Sequence, residues 1–115
     1  MTELPPGVEI ETVWAIEADY APDALERRAP VRATHLARIA QLQREGTILA
    51  AGGFADASGS LILARVPDEA ACRALMERDV YWTAGVWTGF RARPFGLVRL
   101  TDDEAVGAIA DADLR

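Results

Sequence analysis

Apolar positions along the chain repeat with two different periods. From Val8 to Ala18, Val8, Ile10, Thr12, Trp14 and Ile16 alternate with Glu9, Glu11, Val13, Ala15 and Glu17, and this period of two predicts a β-strand. After Asp19-Tyr20-Ala21-Pro22 comes a short polar stretch, Asp23 to Arg28, and then Pro30, which is tolerated in a helix's first turn. The spacing next predicts a helix from about Val31 to Glu45: Val31, His35, Ile39 and Leu42 share one face, and Gly46 stands where a left-handed cap is wanted. Thr47 to Ala51 and Ser60 to Ala64 are apolar runs of strand length around the turn-rich stretch Gly52 to Gly59, so they predict a hairpin. Pro67-Asp68-Glu69 opens a second helix to about Arg78, with acids in the first turn where the helix dipole favours them. Asp79 to Gly85 is expected as a connecting segment and Val86 to Arg93 as the last main strand. Pro94-Phe95 is expected to interrupt that strand, leaving Gly96 to Leu100 as a short edge piece.

The order βαββαβ predicts an α+β, ferredoxin-like fold: a four-stranded antiparallel sheet with both helices on one face. In such a sheet the central strands should alternate apolar with polar. Ile48 to Ala51 and Leu61 to Ala64 are instead apolar throughout, so both faces need a cover. Helices cover one face, and a second copy of the sheet is the expected cover of the other, giving a homodimer.

A length of 115 residues suits one domain, expected over residues 1–100, followed by an acidic tail, 101–115, with at most a short helix. All twelve basic residues are arginine, and the formal net charge is −6. No basic surplus exists to neutralise phosphates, so nucleic acid and anionic membrane are disfavoured partners. The tail holds five acids against one arginine, which leaves thirteen acids and eleven arginines in residues 1–100. A single small anion therefore remains a possible ligand. With no signal-like start and no long apolar run, the chain is expected in the cytoplasm. Cys72, the single cysteine, reads as a packing thiol beside Leu75 and Met76.

Candidate chemistry centres on the single histidine. A histidine among Val31, Ile39 and Leu42 is ordinarily a satisfied core group, but two features favour a site. Arg28 and Arg32 fall near the start of the long helix, where backbone N–H groups and positive charge together attract an anion. Asp79 follows the second helix, which lies beside the first in this fold. An Asp79–His35 hydrogen bond is then possible, although spacing does not establish it, and a solvated turn acid is the competing reading. Such a pair would fix the imidazole tautomer and free the other ring nitrogen as acid or base. Tyr81, Trp82 and Trp87 suit either a pocket wall or packing, and Ser60 could offer a hydroxyl to a ligand. One histidine without a cluster of acids supplies too few metal ligands, and no cofactor is expected.

The ordered set Arg32-Ala33-Thr34-His35-Leu36-Ala37-Arg38, Glu45-Gly46, Leu49-Ala50-Ala51-Gly52, Gly59-Ser60, Asp79-Val80-Tyr81, Ala84-Gly85-Val86 and Pro94-Phe95 resembles the YciI-like (YCII-related) family of small bacterial proteins, over roughly Val8 to Val98. The resemblance implies a dimeric α+β barrel whose active site is a histidine–aspartate pair acting on small organic acids. The family histidine falls on His35, the aspartate on Asp79 and the aromatic of the same motif on Tyr81. Val80 stands where the pattern has proline, as does Gly53 after the hairpin glycine.

Two functions follow. In one, His35 is a general acid/base oriented by Asp79, with Arg32 and Ser60 binding the carboxylate of a small organic acid in an isomerase or lyase reaction. In the other, the chain is a non-catalytic dimeric module that binds a small metabolite or a protein partner. Cofactor-free oxygenation, known among barrel relatives, is the weakest of the readings.

Overall fold

The computed structural model describes residues 3–101. The elements in chain order are β1 (Val8–Tyr20), α1 (Ala24–Arg28), α2 (Arg32–Arg44), β2 (Ile48–Gly53), β3 (Gly59–Ala64), α3 (Glu69–Glu77), α4 (Val80–Thr83) and β4 (Trp87–Leu100). The strands form a four-stranded sheet in the order β2-β3-β1-β4. β3 runs antiparallel to both neighbours, with Ile62 opposite Ile16 on β1 and Ala51 on β2. This is the α+β, ferredoxin-like arrangement of the dimeric α+β barrel class. Beyond Thr101 the expected acidic tail lies outside the described residues.

The described residues group into two compact units. In the smaller, residues 3–12 and 96–101, Arg99 Nη1 donates to Glu11 Oε1 at 2.6 Å and the Thr101 amide donates to the Gly7 carbonyl at 2.8 Å. The larger, residues 13–95, carries the main core. There Ile16, Ala18, Ile48, Ile62 and Ala64 from the strands pack with Ile39 of α2 and with Cys72, Leu75 and Met76 of α3. Burial pushes the Cys72 thiol up to about 11, with Glu69 and Asp68 adding to the effect, so at neutral pH it is a protonated packing group.

Local chemistry sets the helix ends. α2 stops at Gly46, whose φ of +80° suits glycine; the Gly46 amide donates to the Gln43 carbonyl and the Thr47 amide to the Leu42 carbonyl. At the start of α3, the Asp68 side chain accepts from the Ala71 amide at 2.8 Å.

The structure departs from the expected elements in three places. Residues 24–28 and 80–83 are short helices rather than polar stretch and connector, the second capped by Asp79, which accepts from the Tyr81 amide. β4 runs without a break through Pro94. The reason is position: β4 is an edge strand, where one row of backbone groups needs no ladder partner and proline is tolerated.

The helices cover one sheet face. On the other, Leu61 and Phe95 are exposed and Leu63 is half-buried, lining a shallow trough with Ala15, Phe54 and Pro94. The apolar runs of β2 and β3 thus have an apolar face that the single chain leaves open.

Candidate active site

His35 sits in the second turn of α2 and points into the core, where it is 8% exposed. Asp79, fully buried, occupies the cap position of α4. Packing of α2 beside α4 brings the two together: His35 Nδ1 lies 2.7 Å from Asp79 Oδ1 across a separation of 44 residues. The same oxygen accepts the Tyr81 amide at 2.9 Å, and Oδ2 accepts from Arg38 Nη1 at 2.8 Å. A second arginine nitrogen, Arg38 Nη2, donates to the Leu75 carbonyl at 2.9 Å, which ties α2 to the end of α3.

Electrostatics fix the protonation of the acid. Burial acts to raise the Asp79 carboxyl, but the His35 hydrogen bond, the Tyr81 amide, the His35 charge and Arg38 outweigh it and hold the group below the usual carboxylate range. An ionised carboxylate only accepts, so His35 Nδ1 carries the hydrogen between them and Nε2 is the nitrogen left for chemistry.

Aromatic rings hold the imidazole in place. Tyr81 stacks on it with centroids 3.6 Å apart and planes 10° from parallel, while Trp87 meets His35 edge-on at 5.6 Å and Tyr81 at 5.5 Å. Burial and the neighbouring Tyr20 push the Tyr81 phenol above its ordinary value, against the pull of Arg28 and Arg32. Trp82 turns away instead, edge-on to Phe90 at 5.2 Å.

His35 lines a cavity of about 390 Å³ together with Arg28 and Arg32 from the helix side, Tyr20 and Ser60 from the sheet, and Tyr81 and Trp87. The volume suits a small organic molecule. Of the residues expected from the sequence, His35, Arg32, Ser60 and Tyr81 all face this cavity, and Asp79 stands behind His35 rather than at the wall. Val80, in place of the proline, takes the first helical position after the Asp79 cap, where proline's fixed φ would also fit, so the exchange leaves the aspartate in place.

Sequence reasoning missed Arg38 as a partner of Asp79, although a residue three after His35 shares its helix face. Tyr20 was missed too, although alternation from Ile16 and Ala18 puts it on the helix-covered side of β1. Among the described residues there is no group of three or more His, Cys, Asp or Glu placed to hold a metal, and no helix long and apolar enough to cross a membrane.

Known proteins resemble this chain, some in sequence and one solved structure in fold. The family profile of the YCII-related domain matches residues 12–96. Protein YciI of Escherichia coli O6:H1 is 34% identical over 93 residues, covering 72% of this chain and 95% of the relative. An uncharacterized protein of Haemophilus influenzae is 34% identical over 92 residues, covering 71% and 94%. Among solved structures, 5-chloro-2-hydroxyhydroquinone dehydrochlorinase (TftG) of Burkholderia phenoliruptrix AC1100, in complex with 2,5-dihydroxybenzoquinone, superposes with a TM-score of 0.61. It is 21% identical and covers 72% of this chain and 92% of its own, a likeness of fold.

Proposed function

The chain belongs to the YCII-related family, and from that premise we propose that it is a small enzyme in which the His35–Asp79 pair performs acid/base chemistry of the isomerase or lyase type on a small organic acid. The observation that carries this reading is the 2.7 Å contact of His35 Nδ1 with a buried, ionised Asp79 while the same imidazole lines a cavity that Arg28 and Arg32 also line. Arg28 and Arg32 hold the substrate's carboxylate. His35 Nε2 takes a proton from the bound acid and returns it elsewhere on the carbon skeleton or to a leaving group. Asp79 stabilises the imidazolium formed in between, and Arg38 keeps Asp79 anionic.

Turnover of a panel of muconates, lactones and halogenated acids tests the reading, with the chlorinated hydroxyhydroquinone of the fold relative as one member. His35→Ala should slow the accepted substrate by about 10²–10⁴-fold, the usual worth of a positioned proton carrier. Full-rate turnover by that variant would eliminate His35 as the proton carrier, and no turnover of any member by the unaltered protein would leave the non-catalytic binding module as the better account.

The working form, in the same proposal, is a cytoplasmic homodimer. The open apolar face around Leu61, Leu63 and Phe95 supports a second copy of the sheet as its cover, and a reduced, buried Cys72 suits the compartment. Sedimentation of the protein as a monomer at micromolar concentration would overturn the dimer.

A further inference from the structure

Three polar groups beside the cavity form a chain separate from the His35–Asp79 pair. Trp87 Nε1 donates to Ser60 Oγ at 3.2 Å, and Ser60 Oγ lies 3.0 Å from Tyr20 Oη. Its direction follows from counting hydrogens. An indole N–H can only donate, so Ser60 Oγ accepts from Trp87. Ser60 is 5% exposed, and among the described residues the acceptor that its own hydrogen has is Tyr20 Oη. Tyr20 Oη therefore accepts from Ser60. The phenolic hydrogen of Tyr20 has no protein acceptor among the described residues, and the side chain lines the cavity. Each bond in the chain polarises the next, which strengthens the terminal O–H as a donor.

Room for this hydroxyl comes from Gly53 on β2. A Cβ added there would come within 3.1 Å of Tyr20 Oη, tighter than ordinary contact. Strand β1, strand β3 and the bare backbone of β2 together aim one donor at the space that Arg28 and Arg32 approach from the helix side.

We propose that Tyr20 is a ligand-binding hydrogen-bond donor, set by the Trp87–Ser60 chain, and that the cavity selects small organic anions carrying a second oxygen acceptor, a carbonyl or enolate, besides the group the arginines hold. The inference deepens the acid/base reading above and rests on its assignment of the cavity as the ligand site. A donor on the sheet side orients the ligand against His35 and stabilises negative charge that develops on that oxygen when a proton leaves the adjacent carbon.

Equilibrium binding by the full-length protein tests this with two probes: 2,5-dihydroxybenzoquinone, which carries carbonyl and enolate oxygens, and benzoate, which carries a carboxylate alone. The unaltered protein should bind the quinone more tightly. Tyr20→Phe should weaken the quinone by about tenfold or more, as loss of a hydrogen bond to a charged acceptor does, and change benzoate by less than about twofold. Gly53→Ala keeps the tyrosine but crowds its hydroxyl, and should narrow the same ratio; thermal melting shows that each variant is folded. An unchanged ratio in the folded variants, or no preference for the quinone in the unaltered protein, overturns the proposal. Binding is read without turnover, so failure of His35→Ala to slow the reaction would sink the acid/base reading while leaving this ratio untouched.

Discussion

On the helix side of the sheet Ile62 is 2% exposed, while its strand neighbour Leu61, facing the other way, is 38% exposed. Both are apolar residues of β3, and β1 and β2 extend the contrast on either side of it. The helix side also holds the polar chemistry: among the described residues every buried side-chain nitrogen and oxygen has a partner, Asp79 among them with its three donors. The open side has ion pairs of another kind. Glu17 meets Arg93 at 2.7 Å and Arg91 at 3.3 Å, but both arginines are well exposed, so water screens these pairs and each is worth under about 1 kcal/mol. Strong electrostatics therefore belong to the face that excludes water, where low local dielectric strengthens satisfied hydrogen bonds and makes unsatisfied ones expensive.

Substitutions on the two sides should break the comparison or sharpen it. Asp79→Ala removes the acceptor of three buried or half-buried donors and should cost about 3–5 kcal/mol in urea unfolding, as loss of one member of a buried ion pair does. An unaltered midpoint would mean that this polar cluster adds nothing to the fold. The pH dependence has a definite sign. Because folding lowers the Asp79 pKa, its contribution is fully present above the unfolded value of about 4 and is lost as pH falls through the lower folded value. The stability gap between the unaltered protein and Asp79→Asn should thus shrink below about pH 4, and a gap that widened there would contradict the ionised, bonded carboxylate.

Next in size, Ile16→Ala on the helix side should cost about 2–5 kcal/mol through lost burial and the cavity left behind. Leu61→Asp on the open side should change the folding of the single chain by less than about 1 kcal/mol yet abolish the proposed pairing in sedimentation. Equal losses from these two changes in dilute protein would erase the distinction between the faces.

Much of this architecture is readable from local pattern. The strand over Val8 to Ala18, the helix face of Val31, His35, Ile39 and Leu42, the stop at Gly46 and the acidic opening of the second helix at Asp68 and Glu69 each depend on a few neighbouring residues, and each appears in the structure. The runs Ile48 to Ala51 and Leu61 to Ala64 point to two apolar faces, and the second copy of the sheet expected as cover of the open one stands as a proposal. Pro94 misled because a proline's effect depends on whether its strand is central or at an edge, and that is a property of the sheet. The helix at 80–83 was hidden because a single turn is too short for a periodic signal and rests on the Asp79 cap.

The site divides in the same way. Composition and periodicity set the inventory of one histidine, arginines at a helix start and an aspartate after the second helix, and they set which residues share a helix face or a strand face. Resemblance to a family added the pairing of His35 with Asp79 as an expectation. The contact itself, with Arg38 and Tyr81 joining from either side, and the turn of Tyr20 toward Ser60 and Trp87, came from the tertiary structure. Local periodicity fixes the direction in which a side chain leaves its own element. Which distant group waits there depends on how helices and sheet pack, a balance of burial and hydrogen bonding that no short stretch of sequence contains.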